Sequence, residues 1–342
     1  LSVTGITTIG STIDPISADY NPYGLTIAPA TAGLITQGDL VVCNFNAGMQ
    51  TAEGTGTTII GLHPSAGAMP YRIAQSADLQ GCNALAMLAD DSISAAAYMS
   101  NENPLVTAAG VVNTPFSSHN FAHPWGEAYV AATSASPAAL YVSNVDGSID
   151  RITLNGDTPS TFTAIASGFC TSGSPGAIFA PSGLTYDATI DTLYIVDTSS
   201  NSVVAFANVS SIGAAGVVVN GQCSSVMTPP TPAPTFSGPS AGSARVIATG
   251  GALFTPLSAA LLSDGDLIVA NADINLTSQT PNQVFEISPV LPGGFVGNPV
   301  QLDSGAPGAL FGIAATVDSQ GRQIVYFNDD NANAVMKITV AP

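Results

Sequence analysis

The chain has 342 residues, enough for a substantial buried core, yet only 8% of them are Asp, Glu, Lys or Arg, against about 25% in an average protein. Five basic residues face 23 acidic ones, a formal net charge of −18 at pH 7. Nucleic acid and anionic membranes are both held by clustered Lys and Arg, so this composition excludes them as partners. Mean hydropathy is positive, but no run of 18 apolar residues exists to span a bilayer, and no membrane insertion is expected.

Short runs of Val, Ile, Ala and Thr broken by Gly, Pro, Asn and Ser are the punctuation of a β protein. The segment SVTGITTIG (residues 2–10) reads as a strand belonging to no later hairpin. From there each unit repeats the same plan: a turn, an inner strand, a second apolar strand ending in Asn or Asp, then a third strand. The six ends are Asn44 (after LVVC), Asn101 (AAYMS), Asn144 (LYVS), Asp197 (LYIV), Asn271 (LIVA) and Asn328 (IVYF), spaced 43 to 74 residues apart. That spacing predicts an all-β, six-bladed β-propeller with four-stranded blades near 18–66, 67–118, 119–170, 171–245, 246–303 and 304–342. The last unit stops one strand short, so residues 2–10 are predicted to supply its outer strand and close the ring. The Asn and Asp ends are expected to shape the hairpins by bonding backbone amides two residues on. Gly24, Gly126, Gly183 and Gly312 are expected where inner strands crowd the axis. A Pro-rich stretch at 228–240, TPPTPAPTFSGPS, reads as an excursion between blades four and five. The whole is expected to be a single propeller domain.

The pattern P-x-G-[LI], then [LIV]-[YV]-[VI]-x-[DN], then N-x-V-x-x-[FI] is clearest in PSGLTYD, LYIVD and NSVVAF of blade four. It resembles the NHL-repeat propellers, and NPYGL with TGTTIIGL in blade one is similar to secreted bacterial NHL-type proteins. The resemblance covers nearly the whole chain and is weakest in blade two. It implies a fold that hosts lyases, hydrolases and binding modules alike.

Cys43, Cys82, Cys170 and Cys223 show no CxxC spacing, which argues against a zinc knuckle or redox motif. Their even number favours two disulfides, with Cys43–Cys82 and Cys170–Cys223 one of three possible pairings. Together with an amino terminus free of signal-peptide character, this gives the expectation of a mature secreted or cell-surface protein. Asn208-Val-Ser and Asn275-Leu-Thr are sequons. A surface so poor in cations would also suit an acidic setting.

The three histidines are the first metal candidates. His119 and His123 flank the turn into blade three, close to Glu127, and His63 follows the third strand of blade one. The NHL resemblance extends to peptidyl-hydroxyglycine lyases, which imply zinc held by three histidines from separate blades; here two of the three share one loop. Asp329, Asp330 and Asn331, Asp90 and Asp91, and Asp264 with Asp266 could offer oxygen ligands to calcium, although turn tips are ordinarily rich in these residues. Trp125 is either a stacking surface at the ring mouth or a core aromatic. No GxSxG elbow, P-loop or haem motif is present. With no catalytic constellation, the expectation is a non-enzymatic extracellular module that binds other extracellular proteins or assembles with copies of itself. The alternative is a metal-dependent lyase or hydrolase with its site on the axis.

Overall fold

The computed structural model describes residues 2–48, 52–134, 136–156, 158–174, 177–221, 233–271 and 280–340. Six sheets, antiparallel except where blade three is extended by one parallel strand, form a ring, each starting with an inner strand that contacts the inner strands of both neighbours. The inner strands are Tyr20–Ile27, Cys82–Met87, Pro124–Val130, Pro181–Asp187, Pro256–Leu261 and Leu310–Val317. The second strands are Leu40–Asn46, Ile93–Ala97, Ala139–Asn144, Thr192–Asp197, Leu267–Asn271 and Gln323–Asp329. As expected, Val3–Ser11 is the outer strand of blade six, pairing antiparallel with Ala334–Val340.

The continuous apolar runs have a simple cause. Apolar side chains fill a layer at every junction between blades, so a second strand is buried on both faces. Leu40 and Val42 pack toward blade six while Val41 and Cys43 pack toward blade two. Leu193 and Ile195 likewise face blade three, and Tyr194 and Val196 face blade five. Glycines admit the closest approach of inner strands: a Cβ on Gly126 would lie 1.6 Å from the Ser182 carbonyl oxygen, and one on Gly312 would lie 2.4 Å from that of Tyr23.

The strand-ending Asn and Asp residues act differently from the expectation. Among the described residues, only Asp197 accepts from the amide two residues on, that of Ser199 (3.1 Å). Asn144 and Asn271 accept from Ala122 (3.4 Å) and Phe254 (3.1 Å), which lead into their own blades' inner strands. Asn328 donates to the Tyr23 and Gly24 carbonyls of blade one, each at 3.1 Å, and Asn44 donates to Thr12 (3.0 Å). Buried beside the start of the inner strands, these side chains tie chain segments together as well as bracing their own hairpins, where Asn144 Nδ2 donates to Ser148 Oγ (3.1 Å) and Asp150 (2.9 Å). Asn101 lies beyond its strand, which ends at Ala97.

The Pro-rich stretch falls between the third strand of blade four, Ser202–Ala207, and its fourth, Ala244–Thr249. Its described part includes the edge strand Thr235–Ser237, which with Val217–Asn220 extends the sheet of blade three. Cys43 and Cys82 form a disulfide with a Cα–Cα distance of 5.9 Å, stapling blade one to blade two. Cys170 is also disulfide-bonded; Cys223 lies outside the described residues, as does Asn275. No helix among the described residues is long and apolar enough to cross a membrane.

Deleting residues 1–11 removes a whole strand and exposes the edge of Ala334–Val340. Thermal melting should show a large fall in Tm with loss of cooperativity; unchanged melting would show that the ring does not need this closure.

Candidate functional site

Antiparallel pairing gives the ring two distinct faces. The upper face is where inner strands begin and second strands end, and the lower face is opposite. Below the upper face the inner strands enclose a cavity of about 100 Å³ whose lining is largely Leu25, Leu85, Leu184, Ala259 and Ile313 with the close-packed glycines. Aromatic rings close it above. Tyr23 is stacked between Phe45 (4.2 Å) and Phe311 (3.7 Å), and Trp125 meets Tyr23 and Phe45 edge-on at 6.3 Å. Trp125 is therefore a core aromatic of this plug, 6% exposed.

Beside the plug, where blade six meets blade one, lies a chain of polar groups. The Asn21 side-chain nitrogen donates to both Asp330 carboxyl oxygens (2.7 and 3.1 Å), and its oxygen accepts from Asn46 Nδ2 (2.9 Å). Asn46 Nδ2 also donates to Glu53 Oε2 (3.0 Å). Burial, followed by the negative charges of Glu53 and Asp329, lifts the Asp330 carboxyl to about 7. Asp330 keeps part of its surface open to solvent. A half-protonated carboxyl that a substrate can reach is able both to take and to give a proton at neutral pH.

Glu127 is a second perturbed carboxyl. It sits on the inner strand of blade three, but its head is turned into blade two, where Oε1 accepts from Ser94 and from Asn103 Nδ2 (2.7 Å). Burial raises it to about 7, partly offset by the hydrogen bonds from Ser94, Asn103 and the Ala96 backbone. Its Oε2 and Asn103 Oδ1 are buried without a hydrogen-bond partner.

The structure does not bring the three histidines together. His123 is exposed at the upper face, its ring 4.8 Å from that of Tyr98 and its Nδ1 2.8 Å from the Tyr98 carbonyl oxygen. His119 stacks on Phe162 (4.2 Å) and pairs with Asp150 (3.2 Å) in blade three. His63 is on the lower face, its Nδ1 2.6 Å from buried Asp39, which also accepts from the Tyr71 hydroxyl (2.7 Å). Each is engaged locally, and opposite faces separate His63 from His123.

A metal on the axis therefore finds no fitting donor set among the described residues: apart from the plug aromatics, the polar residues lining the cavity are Asn83, Glu127, Ser182 and Ser258, the Ser182 and Ser258 hydroxyls donate to backbone carbonyls, and the Glu127 head is turned into blade two. One acidic group has metal-compatible spacing, Asp264, Asp266 and Glu286, whose ligand atoms lie within 4.8 Å of one another at the lower face of blade five. Sequence reading found the first two; Glu286 lies on another strand and only folding adds it. In the sequence Asp330 was legible only as a turn-tip residue and a calcium-ligand candidate, because Glu53 and Asn21 reach it from the far end of the chain.

No family model and no curated protein matches the chain by sequence. Solved structures do match in fold. Virginiamycin B lyase from Staphylococcus aureus is 13% identical with a TM-score of 0.55, over 98% of this chain and 99% of that one. A gluconolactonase from Xanthomonas campestris is 12% identical with a TM-score of 0.60, over 99% and 91%. The PQQ-bound aldose sugar dehydrogenase from Streptomyces coelicolor is 14% identical with a TM-score of 0.55, over 98% of each chain. At these identities the likeness is one of fold, and it fits the NHL-like propeller expected from the repeats. It also corrects the expectation of a non-enzymatic binding or assembly module, since these rings of matching length are enzymes. That expectation rests on the lack of a contiguous catalytic motif. A ring whose turns meet at one face can assemble a site from distant segments and needs no such motif.

The pH dependence of stability follows from Glu127. Its folded pKa lies above the unfolded value near 4.3, so its contribution is fully present below that value and is lost as pH rises through about 7. Wild-type Tm should fall between pH 5 and pH 8. Glu127→Gln, whose amide can donate to Asn103, should retain more of its stability at pH 8, by up to about 3 kcal/mol in denaturant titrations. Identical pH profiles for the two proteins would show that Glu127 ionises normally.

Proposed function

We propose that the chain is a lyase or hydrolase of neutral cyclic esters, working at the upper-face mouth of the axis with the Asp330 carboxyl as its proton-transfer group. One observation carries this reading: a reachable carboxyl, lifted to about 7 by burial and by neighbouring acids, stands at the rim of an aromatic floor. Perturbed carboxyls beside apolar surfaces are a recurrent feature of acid–base catalysis. Neighbours in fold that are named as a lyase and a gluconolactonase support these two reaction classes.

The residues suggest a division of labour. Aromatic edges at the mouth offer apolar contact for a ring. Glu53, Asp329 and Asp330 make the rim acidic, which disfavours anionic substrates and favours neutral ones. Asn21 holds the Asp330 carboxyl in place through both oxygens. As the carboxylate, Asp330 takes a proton from water attacking the ester carbonyl, or from a carbon next to the breaking C–O bond. The first route gives hydrolysis and the second elimination. In both, the carboxylic acid then returns that proton to the leaving oxygen, so the residue is regenerated. No step is routed through a metal. The Cys43–Cys82 disulfide supports an oxidising, extracellular setting for this activity.

A panel of neutral lactones and cyclic depsipeptides assayed by mass spectrometry tests the reading. Ring opening should appear with a pH–rate inflection near 7, and Asp330→Asn should lower kcat by about 100-fold or more and abolish that inflection. Turnover unaffected by Asp330→Asn, or no turnover across the panel, would overturn it.

A further inference from the structure

A second cavity, of about 400 Å³, opens on the lower face between blades three and four, away from the mouth and independent of the reading above. Its size is in the range of small-molecule sites. Among the polar residues that line it are Tyr141, Arg151, Tyr186, Asp191 and Ser210.

Arg151 is one of only five basic residues in the chain. Arg72 pairs with Asp14 and Arg322 with Asp318. Arg151 instead holds neutral oxygens: its Nη1 donates to the carbonyls of Val209 (3.2 Å) and Ser210 (2.6 Å), and the guanidinium also bonds the Tyr141 hydroxyl. Five N–H donors exceed these three acceptors, so donors remain for a ligand at the cavity wall. Asp191, joined to Arg151 through Ser210, lines the same cavity with the opposite chemistry. Its oxygens accept from the Tyr186 hydroxyl (3.0 Å), from Ser210 Oγ (2.7 Å) and, at 3.3 and 3.4 Å, from the Ser210 amide. Two carboxylate oxygens offer about four lone-pair sites, which leaves room for a further hydroxyl donor. The Tyr186 ring is half-buried and forms part of the wall, whereas Tyr141 is buried beneath it.

A ligand that satisfies both ends must bring a carboxylate for the guanidinium, a hydroxyl for Asp191 and a ring of modest size to lie along Tyr186. A plain aromatic acid has nothing to donate to Asp191, and a neutral sugar leaves the guanidinium without its charged partner. We infer that the cleft between blades three and four is a binding site for a sugar acid: a hydroxylated ring bearing a single carboxylate, held by Arg151, Asp191 and Tyr186. The net negative charge of the chain works against any anion at long range. Contacts inside the cavity act within the Debye length of about 8 Å at physiological salt, where that background is screened.

Isothermal titration calorimetry of the intact protein with D-glucuronate tests this, with D-glucose and benzoate as controls. Saturable binding of glucuronate is expected, with both controls weaker by about tenfold or more, the worth of one charge-assisted hydrogen bond. Arg151→Gln should weaken glucuronate binding by a similar factor. Because Arg151 also bridges two blades, Tyr186→Ala provides a second variant that leaves this bridge intact and should also weaken binding. No saturable binding of glucuronate, equal binding of glucose or benzoate, or full affinity in both variants would overturn the assignment.

Discussion

At four of the six junctions the ring is fastened by one repeated hydrogen bond. An Asn in the left-handed region at the turn into the third strand accepts, through its side-chain oxygen, from a backbone amide leading into the next blade. Asn101 (φ 56°) takes the amide of His123 at 2.6 Å, and Asn201 (φ 49°) takes that of Thr255 at 2.6 Å. Asn282 (φ 58°) takes Ala309 at 3.0 Å, and Asn333 (φ 46°) takes Asn21 at 2.8 Å. Asn tolerates this backbone region better than other residues with a side chain, and it supplies the acceptor that a Gly lacks. An amide left unpaired at such a junction would lose about 1–3 kcal/mol of stabilisation. Among the described residues, ladder pairing between blades is confined to Thr158–Ser167 with Val217–Asn220 and the bridge of Gly10 with Ala68, so these latches set the angular order of the blades while the apolar layers supply most of the adhesion.

The last latch links fold to site. By holding the Asn21 backbone, Asn333 of blade six fixes the side chain that bonds Asp330, itself three residues before Asn333. The strand Val3–Ser11 closes the same junction from outside, and the bidentate pair of Asp14 with Arg72 fastens the segment that follows to blade one. Ring closure and the perturbed carboxyl are thus one structural arrangement. Opening the ring would let water reach Asp330 and return it toward an ordinary acid.

Much of this architecture could be read from the chain because its cause is local. Strand length, apolar runs, the crowded glycines and the unpaired strand at the amino end each show within a few residues. The N-x-V element of the third strand was visible as a repeat, yet its Asn works only across a junction, so its role awaited the fold. The candidate site was less legible for the same reason. Burial of Asp330 depends on blade one, at the other end of the sequence, and His63 appeared relevant only until the strand register put it on the lower face. Acidity is likewise a collective property: burial also lifts Asp197 to about 6 and raises Asp329 and Asp91. A chain with few cations thereby gains stability toward acid.

The Asp330 carboxyl can be observed directly. A pH titration of side-chain carboxyl ¹³C shifts, with the Asp330 signal assigned by its loss in Asp330→Asn, reports its ionisation without any substrate. The structure predicts an inflection near pH 7. An inflection near 4, the value of a solvated aspartate, would contradict the account.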